Sequence, residues 1–174
     1  MNSNKNLVLI GMMGSGKSII GSLLSENLNL EFKDVDSIIE KEAGFKISEI
    51  FKKKGENYFR KLEEKITLQL LKSQNTIVSL GGGGFINKNI RNQVLKNHLS
   101  FWLNWKNSTL INRIIKSKKR PIAFNSNVNE IKKMIMDRSK LYSMANFRVN
   151  CENLSKNKIV NKIKDIYEKN QINC

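Results

Sequence analysis

Several residue types are scarce in this 174-residue sequence, and each shortage narrows the class of protein. Two cysteines, Cys151 and Cys174, are too few for a disulfide scaffold, and a reduced, cytoplasmic protein is the simplest expectation. The one histidine leaves no cluster of histidine, cysteine and aspartate with the spacing of metal ligands. The longest apolar stretch, Leu7 to Met13, is far too short for a membrane span, and the polar start has no signal-peptide pattern.

Acidic residues are also scarce, with 15 Asp and Glu against 31 Lys and Arg and a net charge of +16. Such a balance invites a nucleic-acid-binding interpretation. The lysines are dispersed along the chain, however, and aromatic residues do not interleave with them as a platform for stacked bases requires. We therefore expect solvated basic faces whose field attracts anionic substrates, with no nucleic acid and no membrane as partner.

The residues that are present predict one α/β domain spanning 1–174, because 40% are hydrophobic and the length suffices for an unstapled core. Short apolar runs alternate with helical periodicity, which predicts a parallel sheet between layers of helices, with ligands at the carboxyl ends of the strands. The predicted strands are 7–10, 31–35, 76–80, 99–103 and 147–149. The predicted helices are 19–28, 37–43, 48–54, 58–72, 89–97, 108–117, 130–142 and 155–169, with a break at Gly55.

A phosphate-binding loop follows the first predicted strand and opens the first predicted helix. Residues 11–18 read GMMGSGKS, which matches the pattern G-x-x-x-x-G-K-[ST]. Its glycines let backbone N–H groups surround an anion, while the helix N-terminus adds the positive end of its dipole. Lys17 is expected to reach the β- and γ-phosphates of a nucleoside triphosphate, and the Ser18 hydroxyl to ligate Mg²⁺.

Two carboxylates stand where the second predicted strand ends. Asp34 and Asp36 are two residues apart, so on an extended chain they would point to the same side, roughly 6–7 Å from each other. One is expected to serve the Mg²⁺ shell and the other to accept a hydrogen bond from a substrate hydroxyl. The alternative is a solvated pair of aspartates at a strand end.

Arginines and glycines suggest where a second, anionic substrate binds. Arg60 and Glu63 are i, i+3 on one predicted helix, so the carboxylate can hold the guanidinium ready for an anion, although a surface ion pair is the alternative. Gly81–Gly84 follow the third strand and would let a ligand lie against bare backbone, or would form only a flexible loop.

Two further arginines lie towards the C-terminus. Arg120, in the irregular basic segment 117–128, would reach a transferring phosphoryl group if that segment closed as a lid. Arg138 and Tyr142 are i, i+4 on the next helix, and Arg138 is either a second contact to an anionic substrate or a helix-surface arginine.

Taken in order, these motifs resemble those of the shikimate kinase family from Leu7 to about Val149. This sequence has a counterpart of each motif typical of that family: the phosphate loop, an Asp-x-Asp, an F-R-x-x-E, a strand-end G-G-G preceded by a small hydroxyl residue, a lid R-P and an R-x-x-x-L-Y-type motif. They correspond to Gly11–Ser18, Asp34–Asp36, Phe59–Glu63, Ser79 with Gly81–Gly83, Arg120–Pro121 and Arg138–Tyr142.

The resemblance implies a three-layer P-loop kinase fold with a five-stranded parallel sheet, substrate-binding helices at about 36–72 and a lid at about 117–128. It implies transfer of the ATP γ-phosphate to the 3-hydroxyl of shikimate by a cytoplasmic monomer using one Mg²⁺ per subunit. The implied catalytic residues are Lys17, Asp36 and Arg120. The implied shikimate contacts are Asp36, Arg60, Gly82 and Arg138, and the implied metal contacts are Ser18 and, through water, Asp34. The implied ATP contacts are Gly14, Ser15, Gly16, Lys17, Ser18, Ile19, Arg113 and Arg120.

The sequence also departs from the family. Many members have proline where Lys140 stands, and many have an arginine-rich loop near the adenine, whereas residues 150–156 contain no arginine. Another small-molecule kinase of the same fold, such as a gluconate kinase, is the nearest alternative, because gluconate also presents a carboxylate to two arginines. An inactive nucleotide-binding or nucleic-acid-binding protein is the remote alternative.

Overall fold

The computed structural model describes residues 5–116 and 127–172, with side chains as far as residue 170. Five parallel strands form one sheet in the order β2-β3-β1-β4-β5. The strands are β1 (Leu7–Ile10), β2 (Glu31–Asp34), β3 (Thr76–Ser79), β4 (Leu99–Asn104) and β5 (Phe147–Asn150). Strand β1 lies in the centre with all four residues buried, as its uninterrupted apolar run predicts for a strand covered on both faces.

Seven helices cover the sheet in the described ranges. They are α1 (Lys17–Leu28), α2 (Val35–Ala43), α3 (Ile47–Leu70), α4 (Lys88–Asn97), α5 (Asn107–Lys116), α6 (Val128–Tyr142) and α7 (Lys156–Ile172), and a 3₁₀ turn spans Gly84–Ile86. Helices α1 and α7 pack on one face of the sheet, and helices α2 to α6 pack on the other. The three-layer α/β fold with a five-stranded parallel sheet is therefore confirmed. None of the helices within residues 5–116 and 127–172 combines the length and the apolar character that a membrane span requires.

The break predicted at Gly55 is confirmed as a kink inside helix α3. Gly55 has φ 79° and ψ 170°, a conformation outside the helical region that glycine adopts without a Cβ penalty. The helix continues beyond the kink and carries Arg60 and Glu63 towards the carboxyl edge of the sheet.

The prediction that Asp34 and Asp36 point to the same side of an extended chain is wrong. Strand β2 ends at Asp34, whose Oδ1 accepts a hydrogen bond from Ser37 N at 3.2 Å and so caps helix α2. Because this cap satisfies an otherwise unpaired N–H, the helix begins at Val35 and Asp36 lies in its first turn. The two carboxylates therefore point to different parts of the site.

Helix α1 packs unusually close to strand β2. A Cβ at Gly21, which is buried in α1, would overlap the aromatic ring of Phe32 in β2. Only glycine permits this approach, and the approach brings the start of α1 beside the end of β2. Ser18 and Asp34 meet there as a consequence.

Candidate nucleotide and substrate site

The phosphate loop connects β1 to α1 at the carboxyl edge of the sheet. Gly14 and Gly16 have φ angles of 78° and 89°, which only glycine adopts readily, and Ser15 N donates to Met12 O at 3.1 Å. This backbone turns around the N-terminus of α1, where unpaired N–H groups and the helix dipole favour an anion. The geometry is that expected of a loop that holds phosphates.

Lys17 lies across this loop. Its Nζ donates hydrogen bonds to the carbonyl oxygens of Gly11 at 2.8 Å and Met12 at 3.1 Å, and the side chain is 8% exposed. A buried ammonium held against the loop is well placed to compensate phosphate charge.

Ser18 and Asp34 provide a pair of oxygen ligands next to Lys17. Ser18 Oγ donates to Asp34 Oδ2 at 2.5 Å. Mg²⁺ prefers oxygen ligands and commonly uses one or two protein groups together with waters and substrate phosphates. In the described residues no group of three or more His, Cys, Asp and Glu side chains could hold a metal by itself. This donor pair fits a Mg²⁺ ion that also binds phosphate.

The glycine run after β3 is surrounded by the charged residues that the sequence singled out. A Cβ at Gly81 would lie 2.6 Å from both Asp36 Oδ1 and Glu63 Oε1, and a Cβ at Gly83 would overlap the guanidinium of Arg60. The backbone is bare where these side chains converge. A ligand on this surface would meet carboxylate and guanidinium groups together.

Two glutamates hold Arg60 in place. Arg60 Nη1 donates to Glu63 Oε2 at 2.7 Å, while Nε and Nη2 donate to Glu56 Oε1 at 3.2 and 3.1 Å. Glu63 is 2% exposed, and burial raises the pKa of its carboxyl above the ordinary value, although the Arg60 cation opposes that shift. Within the part of the chain that the structure describes, Glu63 Oε1 has no hydrogen-bond partner. The interpretation of Arg60 and Glu63 as a surface ion pair is therefore wrong, because one partner is buried.

Arg138 reaches the same glycine run from helix α6. Arg138 Nη1 donates to Gly82 O at 3.2 Å, and the buried Tyr142 hydroxyl donates to the same oxygen. Burial raises the pKa of Tyr142 to about 12, so the phenol stays neutral and can donate. Arg138 is thus oriented into the site, and the interpretation as a helix-surface arginine is wrong.

The phosphate loop and the glycine run contact each other. Met12 Sδ lies 3.9 Å from Arg138 Nη1 and 4.0 Å from the Tyr142 hydroxyl, and a Cβ at Gly82 would lie 3.2 Å from Met13 N. A group bound on the glycine run is therefore next to a phosphate bound in the loop. This adjacency is what transfer of a phosphoryl group between two substrates requires.

A third arginine lies against the phosphate loop. Arg113 Nη1 donates to Gly14 O at 3.3 Å, and its Cζ lies 3.8 Å from the centre of the Trp105 ring. Trp105 Nε1 in turn donates to Ser15 O at 3.0 Å. Ile19, in the first turn of α1, is 51% exposed near the loop.

The structure brings together every predicted site residue that it describes. Arg120 and most of the segment 117–128 lie outside the described residues. Three residues that contact the site were not predicted from the sequence, namely Glu56, Met12 and Trp105. The role of Gly82 O as an acceptor for both Arg138 and Tyr142 was not predicted either. Trp105 follows directly after β4, so its position at a strand end was a signal available in the sequence.

The fold and this site define a P-loop kinase. The structure of a deoxyadenosine kinase from M. mycoides has a TM-score of 0.63 at 19% identity, and the match covers 94% of this chain and 99% of that one. This likeness shows the fold alone. A sequence model of the family described as "Shikimate kinase" matches residues 13–168. The chain belongs to the shikimate kinase family.

Individual relatives agree over nearly the whole chain. A shikimate kinase from Persephonella marina is 42% identical over 160 residues, which are 91% of this chain and 96% of that protein. The structure of shikimate kinase from Acinetobacter baumannii in complex with shikimate has a TM-score of 0.91 at 26% identity, and the match covers 97% of this chain and 96% of that one.

Proposed function

We propose that this protein transfers the γ-phosphate of ATP to the 3-hydroxyl of shikimate, giving shikimate 3-phosphate and ADP. The observation that carries the proposal is the convergence of Asp36, Arg60 and Arg138 on the glycine run, which adjoins the phosphate loop. An acceptor that bears both a carboxylate and hydroxyl groups matches two arginines and one aspartate. The family relationship supports shikimate as that acceptor.

Arg60 and Arg138 bind the carboxylate in this proposal. Arginine is suited to the task because its planar fork makes two parallel hydrogen bonds to a carboxylate. Glu63 and Glu56 orient the first guanidinium, and Gly82 O orients the second. Asp36 accepts a hydrogen bond from a substrate hydroxyl, and the bare backbone at Gly82 lets the ring approach closely.

ATP binds in the phosphate loop through backbone groups of Gly14 to Ile19 and through Lys17, with Arg113 on the side of the base. Ser18 would hold Mg²⁺ directly and Asp34 through water, as their adjacency supports. When bound, the ion neutralises charge on the β- and γ-phosphates. Arg120, in the proposed lid at about 117–128, supplies a further positive charge.

Transfer forms a bond between the 3-hydroxyl oxygen and the γ-phosphorus and breaks the bond to the oxygen that bridges to the β-phosphate. Lys17 stabilises the charge that develops on the transferred group. Asp36 orients the attacking hydroxyl through a hydrogen bond and is the acceptor for the proton that this hydroxyl loses as the bond to phosphorus forms. A loose transition state needs little help from a base, so orientation is the main contribution of Asp36.

We propose further that the protein acts as a single-domain monomer with one Mg²⁺ per subunit, in the cytoplasm, in the route to chorismate and the aromatic amino acids. A reducing setting is consistent with Cys151, which is buried and forms no disulfide within residues 5–116 and 127–172. Burial raises the pKa of this thiol to about 12. A thiol of that kind is inert and packs as a small apolar group.

A coupled ADP-release assay tests the proposal, with shikimate, gluconate and nucleoside monophosphates offered in turn. We expect turnover with shikimate and background rates with the others. Turnover with gluconate would replace the proposal by the alternative kinase. Absence of turnover with every acceptor, together with salt-sensitive retention on nucleic acid, would favour the inactive binding protein.

A further inference from the structure

Trp105 supports the phosphate loop from outside the motif that defines it. It follows β4, it is half-buried, and its Nε1 donates to Ser15 O at 3.0 Å. The carbonyls of the loop point away from a bound phosphate when its N–H groups point inward. A donor on a carbonyl therefore steadies the loop without occupying the space for the anion.

The same indole lies under the guanidinium of Arg113. Arg113 Cζ is 3.8 Å from the ring centre, well within the distance of a cation–π contact, and Arg113 Nη1 donates to Gly14 O at 3.3 Å. Trp105 and Arg113 thus bind the carbonyls of two successive loop residues and each other. In this closed arrangement, which we call the Trp105–Arg113 pair, the arginine remains exposed to solvent.

A planar cation with one face on an aromatic ring offers its other face to a second flat group. A nucleotide whose phosphates bind in the loop carries one flat group that such a face can receive, its base. The chain after β5 adds no arginine over residues 150–156. Its Glu152 is engaged instead at the start of α5, where it accepts hydrogen bonds from Lys106 N at 3.1 Å and Thr109 Oγ1 at 2.9 Å.

We propose that Trp105 is a positioning residue for the nucleotide base: it holds Arg113 against the loop so that the outer face of the guanidinium receives the adenine of ATP. This inference rests on the proposed function only in taking ATP as the nucleotide. Trp105 acts through Arg113 and does not itself touch the base.

The test is a set of binding measurements on the intact protein with Mg²⁺ present. Trp105→Phe keeps a ring under Arg113 but removes the indole N–H, whereas Trp105→Leu removes both. Each change is made with Arg113 present and with Arg113→Ala, and calorimetry gives the Kd of ATP and of inorganic tripolyphosphate, which has no base.

With Arg113 present, we expect Trp105→Leu to weaken ATP binding about 5- to 30-fold and to weaken tripolyphosphate binding several times less. Trp105→Phe should weaken both ligands equally and by only about threefold, because it loses just the loop hydrogen bond. With Arg113→Ala, the two Trp105 variants should bind ATP alike. In turnover, Trp105→Leu should raise the KM for ATP and leave the KM for shikimate unchanged.

Arg148→Lys is the matched control, since Arg148 also lies over a tryptophan, 4.9 Å from the ring centre of Trp102. It should leave ATP binding within about twofold. The inference is overturned if Trp105→Leu weakens ATP and tripolyphosphate equally whether or not Arg113 is present, or if Arg148→Lys weakens ATP as much. Binding does not depend on turnover, so failure of shikimate phosphorylation by the unaltered protein would be recognised separately.

Discussion

Arg60→Lys is the change that most directly probes recognition of the substrate carboxylate. Arg60 donates one N–H to Glu63 at 2.7 Å and two to Glu56 at 3.1 and 3.2 Å. These hydrogen bonds fix the plane of the guanidinium beside Gly83. Lysine keeps the charge, but its ammonium is a single point that cannot hold both glutamates and a bidentate anion. The buried Glu63 would draw the ammonium towards itself.

The expected loss follows from these contacts. One charge-assisted hydrogen bond to the substrate disappears, which is worth about 1.5–3 kcal/mol, or roughly 10- to 150-fold in kcat/KM. The Arg60 side chain is 28% exposed, so solvent screens its interaction with the carboxylate. The loss of binding free energy should therefore stay within this range and be smaller than for a fully buried ion pair. The loss should appear chiefly in the KM for shikimate, because Arg60 does not contribute to the phosphate loop.

Steady-state ADP release with shikimate and ATP varied separately measures both KM values. Arg91→Lys is the control, since Arg91 undergoes the same chemical change nearby, where it donates to Phe85 O at 3.0 Å and Ile86 O at 2.8 Å. A shikimate analogue without the carboxylate should discriminate little between Arg60→Lys and the unaltered protein.

An Arg60→Lys variant with reduced ATP affinity and an unchanged KM for shikimate would refute this reasoning and assign Arg60 to the nucleotide. Equal effects of Arg91→Lys would show that the loss reflects general disturbance near the glycine run.

Three further predictions follow from the same geometry. Lys17→Ala should fold normally by circular dichroism but lose about 10²- to 10³-fold in kcat, and retention of a tenth of the activity would contradict the assigned role. Burial raises the pKa of Glu63, so the folded protein binds the proton of this carboxyl more tightly than the unfolded chain does. The free energy of unfolding should therefore fall as the pH rises above 4.5 towards the raised pKa. Urea unfolding across this pH range measures the dependence of the unfolding free energy on pH. Glu63→Gln should make this dependence weaker, and an unchanged dependence would contradict the prediction. Gly21→Ala should cost about 1–3 kcal/mol of stability through overlap with Phe32, whereas Ser22→Ala, exposed on the same helix, should cost almost nothing.

The local elements of this fold could be predicted well from the sequence. The apolar run of β1, the phosphate loop and the break at Gly55 each depend on residues close together in the chain, where periodicity and glycine content carry the information. The order of strands and helices then implied a parallel sheet, and with it the edge where ligands bind.

The boundary after β2 was less predictable, because alternation along a strand and capping of a helix compete over the same few residues. Asp34 caps α2 through Ser37 N, and with this cap Asp36 lies in the first turn of a helix and not on an extended chain. Such a choice depends on which backbone groups lack partners in the folded chain.

Two conclusions could be drawn from the amino-acid sequence without the fold: the chain binds a nucleoside triphosphate, and it resembles the shikimate kinases. Both rest on motifs of fixed spacing. Three further features are visible only in the folded chain: Glu63 is buried beneath Arg60, Arg138 and Tyr142 share Gly82 O, and Trp105 supports the phosphate loop. The contacts at Gly82 O and at the phosphate loop join residues distant in the chain, and the burial of Glu63 depends on the elements packed around its helix. They arise because parallel strands bring their carboxyl ends to one edge, and because close packing at glycines lets side chains from different helices meet there.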